Sequence, residues 1–314
     1  MPIGVYAGLE ITGAKVRQAI TDAGVQAEAV LALHERFQTD VLLTAMDLSV
    51  EAELFGCQIR MDDDEIPTVI GRLVTSAEEL AGLAVPAAGS GRSAVHLETA
   101  ARLVRQQNGC PVLGGVIGPF SLAGRLFGVS EALELSLADP ELLEALLDKV
   151  TDFLTAYVLA FREQGAAGVI MAEPAAGLLS PRGLGRYSSA FVRRIIQQTC
   201  TDSFTIILHN CGAKLVHLPR ILESGAEIYH FGAPMDLLQA LAQVDESVIL
   251  AGNLDPSAVF HGGAPEEMEA RTRELLQGAA GKRNYVISSG CDLPPHTPVE
   301  NLDAFYRTVR GFNG

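Results

Sequence analysis

His209-Asn210-Cys211 sets a nitrogen donor and a sulfur donor two residues apart. On an extended backbone, positions i and i+2 face the same side, so both side chains can meet one ion. A nitrogen and thiolate set suits Zn²⁺. Cys291, far along the chain, would bring the set to three and leave a fourth position open, as in catalytic rather than structural zinc. Spacing alone does not decide the matter, because H-x-C arises by chance and a buried Cys is most often a small core residue. The elements that carry these residues must decide it.

Short apolar runs rich in Val and Ile alternate with amphipathic stretches, the pattern of parallel βαβ units. The runs are GVYAGL (4–9), VLLTAM (41–46), PVLGGVIG (111–118), GVIMAEP (168–174), FTIILHNC (204–211), EIYHFG (227–232), VILAGNL (248–254) and YVISSGC (285–291), eight in all. Eight strands close a parallel barrel, and continuous apolar runs are expected where helices cover the outside and side chains fill the inside. Helices are expected over 139–164, with Asp139 as cap and Pro140 just inside, and over 264–279. The expected fold is α/β, a (β/α)8 TIM barrel forming one domain over residues 1–314. Segment 52–98 fits no repeat and reads as a long excursion between the second and third strands, with room for a hairpin; 84–92 reads as a loop.

Barrels of this kind place their chemistry at the carboxyl ends of the strands. The expected strands end in Asp47, Glu173, His209 to Cys211, His230, Asn253 with Asp255, and Cys291 with Asp292. That clustering favours a zinc site of His209, Cys211 and Cys291 converging across the barrel mouth. His230 reads equally as a hydrogen-bonded lining residue or as a ligand or proton carrier, while Asp47 and Glu173 either cap backbone amides or take part in chemistry. Cys57, Cys110 and Cys200 are expected to pack, and His34, His96, His217 and His261 to be solvated.

Bulk properties narrow the partners. With 48% hydrophobic and 19% charged residues, the chain can bury a large aliphatic core. A formal charge of −15 would repel a phosphate backbone, which argues against nucleic acid. The N-terminus has no basic, apolar leader, and no apolar run is long enough to span a bilayer, so no membrane role and a cytoplasmic setting are expected. Five cysteines in a chain of this length then read as thiols or ligands rather than a disulfide framework.

The stretches TAMDLSVEAELFG (44–56), GVIGPFSLAGRLFG (115–128), EPAAGLLSP (173–181), LHNCG (208–212), GNLDPSAVF (252–260) and GCDLPPHTPVENL (290–302) resemble the uroporphyrinogen decarboxylase superfamily over nearly the whole chain. That resemblance implies a (β/α)8 barrel. The decarboxylase branch carries an arginine-rich segment near its N-terminus; here VYAGLEITGAKVRQA (5–19) holds only Lys15 and Arg17, and Gly290-Cys291-Asp292 replaces the decarboxylase GHG. The corrinoid-dependent methyltransferase branch, which includes methylcobalamin:coenzyme M methyltransferases, carries an H-x-C and a distant C as its zinc motif.

Likeness to that branch implies that His209, Cys211 and Cys291 hold Zn²⁺, with Glu173 as a fourth ligand or nearby acid; from their places at strand ends, Asp47 and His230 are the further candidate catalytic groups. Gly115, Gly118 and Asn253 are the expected cofactor-facing positions, the glycines permitting close approach of a planar ring. Cobalamin would arrive on a separate corrinoid protein, since the chain lacks a D-x-H-x-x-G motif, and the methyl group would pass to or from a small thiol or methylated substrate. The rival readings are a decarboxylase of a porphyrin precursor, with Asp47 steering pyrrole protonation, and a non-catalytic barrel that only binds a corrinoid protein or ligand.

Overall fold

The computed structural model describes residues 1–106 and 109–312. Among them, seven strands form one parallel sheet: β1 (Leu42–Leu43), β4 (Val112–Ile117), β5 (Gly168–Ala172), β6 (Thr205–Asn210), β7 (Ile228–Phe231), β8 (Ile249–Leu254) and β9 (Tyr285–Ser289), neighbours in that order. The remaining two, β2 (Gln58–Arg60) and β3 (Thr68–Ile70), pair antiparallel as a separate hairpin within 52–98, flanked by the helices Val50–Phe55 and Ala77–Gly82.

Every residue of β4 and β5 is buried, as a parallel strand covered on both faces requires. Alternate residues Leu113, Ile170, Ala172 and Ile207 line the inside with Ile3, Leu43 and Met46. The opposite faces meet the helical layer. The helix Pro140–Glu163 starts at Asp139, whose carboxylate accepts from the Leu142 amide at 3.1 Å, and it buries Leu143, Leu146, Leu147, Val150, Phe153, Leu154, Tyr157 and Phe161 at helical spacing. Each such side chain contributes roughly 1.5–3 kcal/mol by leaving water. An added Cβ on Gly114 would come 2.6 Å from the Phe161 ring, so glycine there lets this helix lie close on the sheet.

One expected strand is not a strand. Residues 4–9 begin the helix Val5–Thr12, closed by Gly13 in the left-handed region at φ 74°. Short apolar runs do not distinguish strand from buried helix by periodicity. The decision lies in packing: Gly8 sits directly over the Ala29 carbonyl, so this helix docks tightly on the helix Ala23–Phe37. The place beside β9 goes instead to the first three residues. Ile3 bridges Asp292 in parallel, its amide donates to the Ser289 hydroxyl at 3.0 Å, and its carbonyl accepts from the Leu293 amide at 2.8 Å. Ile3 also meets Leu43 and Met46 across the interior, so the curled seven-stranded sheet accords with a TIM barrel fold. No helix among the described residues is long and apolar enough to cross a membrane.

Candidate metal centre

Strand β6 sends Ile207 into the barrel lining, and the i+2 rule then points His209 and Cys211 the same way. Cys291 follows β9 by two residues. The donor atoms of His209, Cys211 and Cys291 all lie within 4.8 Å of one another, the one such triad of metal-ligating groups among the described residues. His209 is 2% exposed, and its Nε2 is buried without a hydrogen-bond partner. A nitrogen lone pair facing two sulfurs fits zinc, which takes nitrogen at about 2.0–2.1 Å and sulfur at about 2.3 Å in a tetrahedron. The two thiols already interact: the hydrogen bond with Cys291 holds Cys211 below the ordinary thiol range, and the same bond, with burial, pushes Cys291 up to about 12.

The other ring nitrogen of His209 is held from behind. Register pairs His209 with His230 on β7, so both rings stand on the same side of the sheet, with centroids 4.8 Å apart. The Nδ1 of His209 lies 2.8 Å from the Nδ1 of His230 and 3.2 Å from the His230 carbonyl. The Nε2 of His230 is 2.9 Å from the Ser288 hydroxyl, which donates to the Met1 carbonyl. Burial first, then neighbouring His209, push the pKa of His230 well below that of an ordinary imidazole, so it is neutral.

Beside the triad is a pocket of about 60 Å³ lined by Ile3, Met46, Leu48, Ala172, Pro174, His209, Cys211, Cys291 and Asp292. Its walls are otherwise apolar. Both carboxyl oxygens of Asp292 are shut off from solvent and unpartnered, and burial, with Cys291 next, raises its pKa well above the usual carboxylate range.

The remaining sequence-derived positions have hydrogen-bond partners or packing of their own. Glu173 is fully buried and caps the helix Pro119–Phe127: it accepts from the Phe120 amide (2.9 Å), the Ser121 amide (2.9 Å) and hydroxyl (2.6 Å), and the Ser188 hydroxyl (3.1 Å). Burial pushes its pKa up against those four donors. Asp47 pairs with buried Arg92 and accepts from the Ser49 hydroxyl at 2.6 Å, while Arg92 also reaches Glu53 at 2.5 Å. An added Cβ would overlap Glu173 at Gly118 and lie 2.7 Å from the Met46 sulfur at Gly115, so packing accounts for glycine at both. The Asn253 amide donates to the carbonyls of Gly232 (3.0 Å) and Met235 (2.7 Å), tying β8 to the loop after β7. Asp255 caps the turn that follows β8 through the amides of Ser257 and Ala258.

Other readings need correction or addition. His96 and His217, expected in solvent, are buried, and His96 has no partner at either ring nitrogen. Cys57, Cys110 and Cys200 pack in or against the main core. Sequence reasoning missed Arg92, which sat in a stretch read as a loop; nothing local announces its acidic partners, which lie some forty residues earlier in the chain. Ser121 and Ser188, which hold Glu173, likewise carry no signal in the sequence.

A methylcobamide:CoM methyltransferase, MtbA, from Methanosarcina mazei is 29% identical over 98% of this chain and 91% of its own length. A methylated-thiol–coenzyme M methyltransferase from the same organism is also 29% identical, over 96% of this chain and 81% of its own. A solved structure described as a methyltransferase from Methanosarcina mazei superposes with a TM-score of 0.88 at 26% identity, covering 98% of this chain and 90% of that one. The family model described as uroporphyrinogen decarboxylase (URO-D) matches residues 3–312. With that match spanning nearly its whole length, the chain belongs to the uroporphyrinogen decarboxylase family.

Proposed function

We propose that the chain is a zinc-dependent methyltransferase that moves a methyl group between methylcobalamin, held by a partner corrinoid protein, and a small thiol or methylated substrate. The observation that carries this reading is the unpartnered, buried Nε2 of His209 facing Cys211 and Cys291 at the edge of a small apolar pocket. Methyltransferase relatives that cover nearly the whole chain support it.

His209, Cys211 and Cys291 would hold the ion. When bound, zinc supplies the acidity that deprotonates a substrate thiol near neutral pH while leaving its sulfur nucleophilic. The rest falls to the chain. The two cysteines bring negative charge that keeps such a sulfur electron-rich. The apolar walls exclude water and hold the substrate's carbon skeleton. In the forward direction the sulfur forms the S–CH₃ bond as the Co–CH₃ bond breaks, the electron pair stays with cobalt as cob(I)alamin, and the thiol proton leaves to solvent.

The decarboxylase alternative asks Asp47 to steer a pyrrole, yet its carboxylate is tied up by Arg92 and Ser49. The decisive experiment combines metal analysis of the purified protein with the absorbance change of methylcobalamin on adding thiols. About one zinc per chain and protein-dependent demethylation are expected, both lost in Cys211→Ala with the circular dichroism unchanged. Full activity in that variant, or a metal-free wild type without transfer, would refute the reading.

A further inference from the structure

The three most exposed large apolar side chains among the described residues are Leu137, Leu178 and Val216, at 88%, 63% and 62%. They form one group. Leu137 is on the helix Val129–Ala138, which follows β4; Leu178 ends the 3-10 turn Pro174–Leu178 after β5; Val216 is in the turn Leu215–His217 after β6. Because β4, β5 and β6 are neighbours in the sheet, these segments adjoin along one arc of the carboxyl rim. Soluble proteins seldom leave such a patch open unless something lands on it.

Between Leu137 and Leu178 lies a recess of about 380 Å³, with Arg182 and Arg186 on its polar side and no Asp or Glu among the residues that line it. Arg186 is paired with Glu144 at 2.7 Å and lies over the Tyr187 ring. Arg182 pairs with no carboxylate among the described residues. The helix Pro181–Leu184 that carries it packs against the turn bearing Val216, so the patch is continuous. It is also close to the metal centre. Pro174 lines the metal pocket, and Leu178, four residues along the same turn, lines the recess. At about 2.0 Å per residue, roughly 8 Å separates the two. An added Cβ on Gly177 would come 2.6 Å from the Gly212 backbone, so this turn lies directly on the residue after Cys211. The metal pocket, at about 60 Å³, is far below the roughly 300–1,000 Å³ that encloses a drug-sized ligand, so a corrin ring does not fit inside it. The methyl group must come in from outside, with the protein that carries the ring resting on the rim.

We infer that the arc of Leu137, Leu178 and Val216 around the Arg182 recess is where the corrinoid protein docks, seating an apolar side chain in the recess and a carboxylate on Arg182. An apolar anchor in a pocket, ringed by polar contacts, is how most of an interface's binding energy is gathered, and a charge-assisted pair at its edge fixes the register. This rests on the methyl-transfer reading above and adds the place and the chemistry of the partner's contact. The test uses zinc-loaded, full-length protein and two methyl donors: free methylcobalamin, and the corrinoid protein of the same cells, isolated by its corrin absorbance and carrying methylcobalamin. Wild type, Leu137→Asp, Leu178→Asp and Arg182→Glu are compared. Sedimentation velocity at a corrin absorption band reads complex formation without turnover. Each substitution is expected to weaken the complex, and to raise KM for the protein-bound donor, at least about tenfold. Transfer from free methylcobalamin, which needs no docking, should stay within about twofold of wild type.

Variants that bind the corrinoid protein as the wild type does, or a wild type that forms no complex with it, would overturn the assignment. So would an equal loss of transfer from free methylcobalamin, which marks damage to the fold or the metal centre. A wild-type dimer that Leu137→Asp or Leu178→Asp splits would overturn it too, by making a second copy of the chain the occupant. Transfer from neither donor sinks methyl transfer itself, and the docking surface then stands or falls on the sedimentation result alone.

Discussion

The Nδ1 atoms of His209 and His230 stand 2.8 Å apart, and only one of them can carry the proton between them. The His230 carbonyl decides which, because it lies 3.2 Å from the same His209 nitrogen and a carbonyl can only accept. His209 therefore donates from Nδ1, which leaves its Nε2 with a lone pair aimed at Cys211 and Cys291. His230 accepts at Nδ1 and so carries its own proton on Nε2, which donates to Ser288. The pair thus turns the Nε2 edge of His209 toward the sulfurs, the orientation that a metal ligand needs.

Replacing His230 with Phe removes the acceptor but keeps the backbone carbonyl. Zinc affinity, read by competition with a chromophoric chelator, should fall about 10- to 100-fold with the fold retained. Unchanged affinity would show that the carbonyl alone orients His209.

Glu173 and Gly118 form a second coupled pair. Glu173→Ala strands four buried donor groups, three of them at the start of the helix Pro119–Phe127, and should cost about 3–5 kcal/mol in urea unfolding. Gly118→Ala forces a methyl group into the Glu173 side chain and should cost about 1–3 kcal/mol. If Glu173→Ala instead left stability intact and abolished only methyl transfer, its carboxylate would belong to the chemistry rather than to the helix cap.

His96 sets a pH dependence. Burial, ahead of the opposing fields of Asp47 and Arg92, lowers its pKa to about 4, while the unfolded chain protonates near 6.5. As pH falls, the unfolded state takes the proton first, so stability present above about 6.5 is lost progressively down to about 4, amounting to about 3 kcal/mol for this one residue. His96→Leu should therefore exceed the wild type in urea midpoint by more at pH 4.5 than at pH 7.5. Equal differences at both values would show that His96 is not held neutral in the folded state.

Metal removal should destabilise the site before the barrel. Chelation is expected to lower the melting temperature by an amount that grows with the zinc concentration of the reference sample, since an ion bound only by the folded chain stabilises by mass action. Cys291→Ala should melt at the chelated temperature whether or not zinc is present. A melting temperature indifferent to zinc in the wild type would mean that the triad binds no ion tightly.

Much of this was legible in the chain itself. Seven of the eight expected strands are strands, because continuous Val and Ile runs flanked by capped amphipathic helices have few other ways to bury both faces. His209 and Cys211 were bound to share a side once β6 existed, because alternation is a property of the extended backbone. Residues 4–9 escaped, since a short apolar run takes its form from the surface it packs on, here the helix beneath Gly8.

The sequence alone determined the alternating α/β plan and a nitrogen and two sulfurs at strand ends. Only the tertiary structure decided that Cys291 reaches the pair at the end of β6, that Glu173 and Asp47 spend their charge on a helix start and on Arg92, and that the oxygens of Asp292 are buried. The reason is one of range. Side-chain direction follows from local backbone geometry, whereas whether a buried charge finds a partner depends on residues tens to hundreds of positions away, which meet only when the sheet curls.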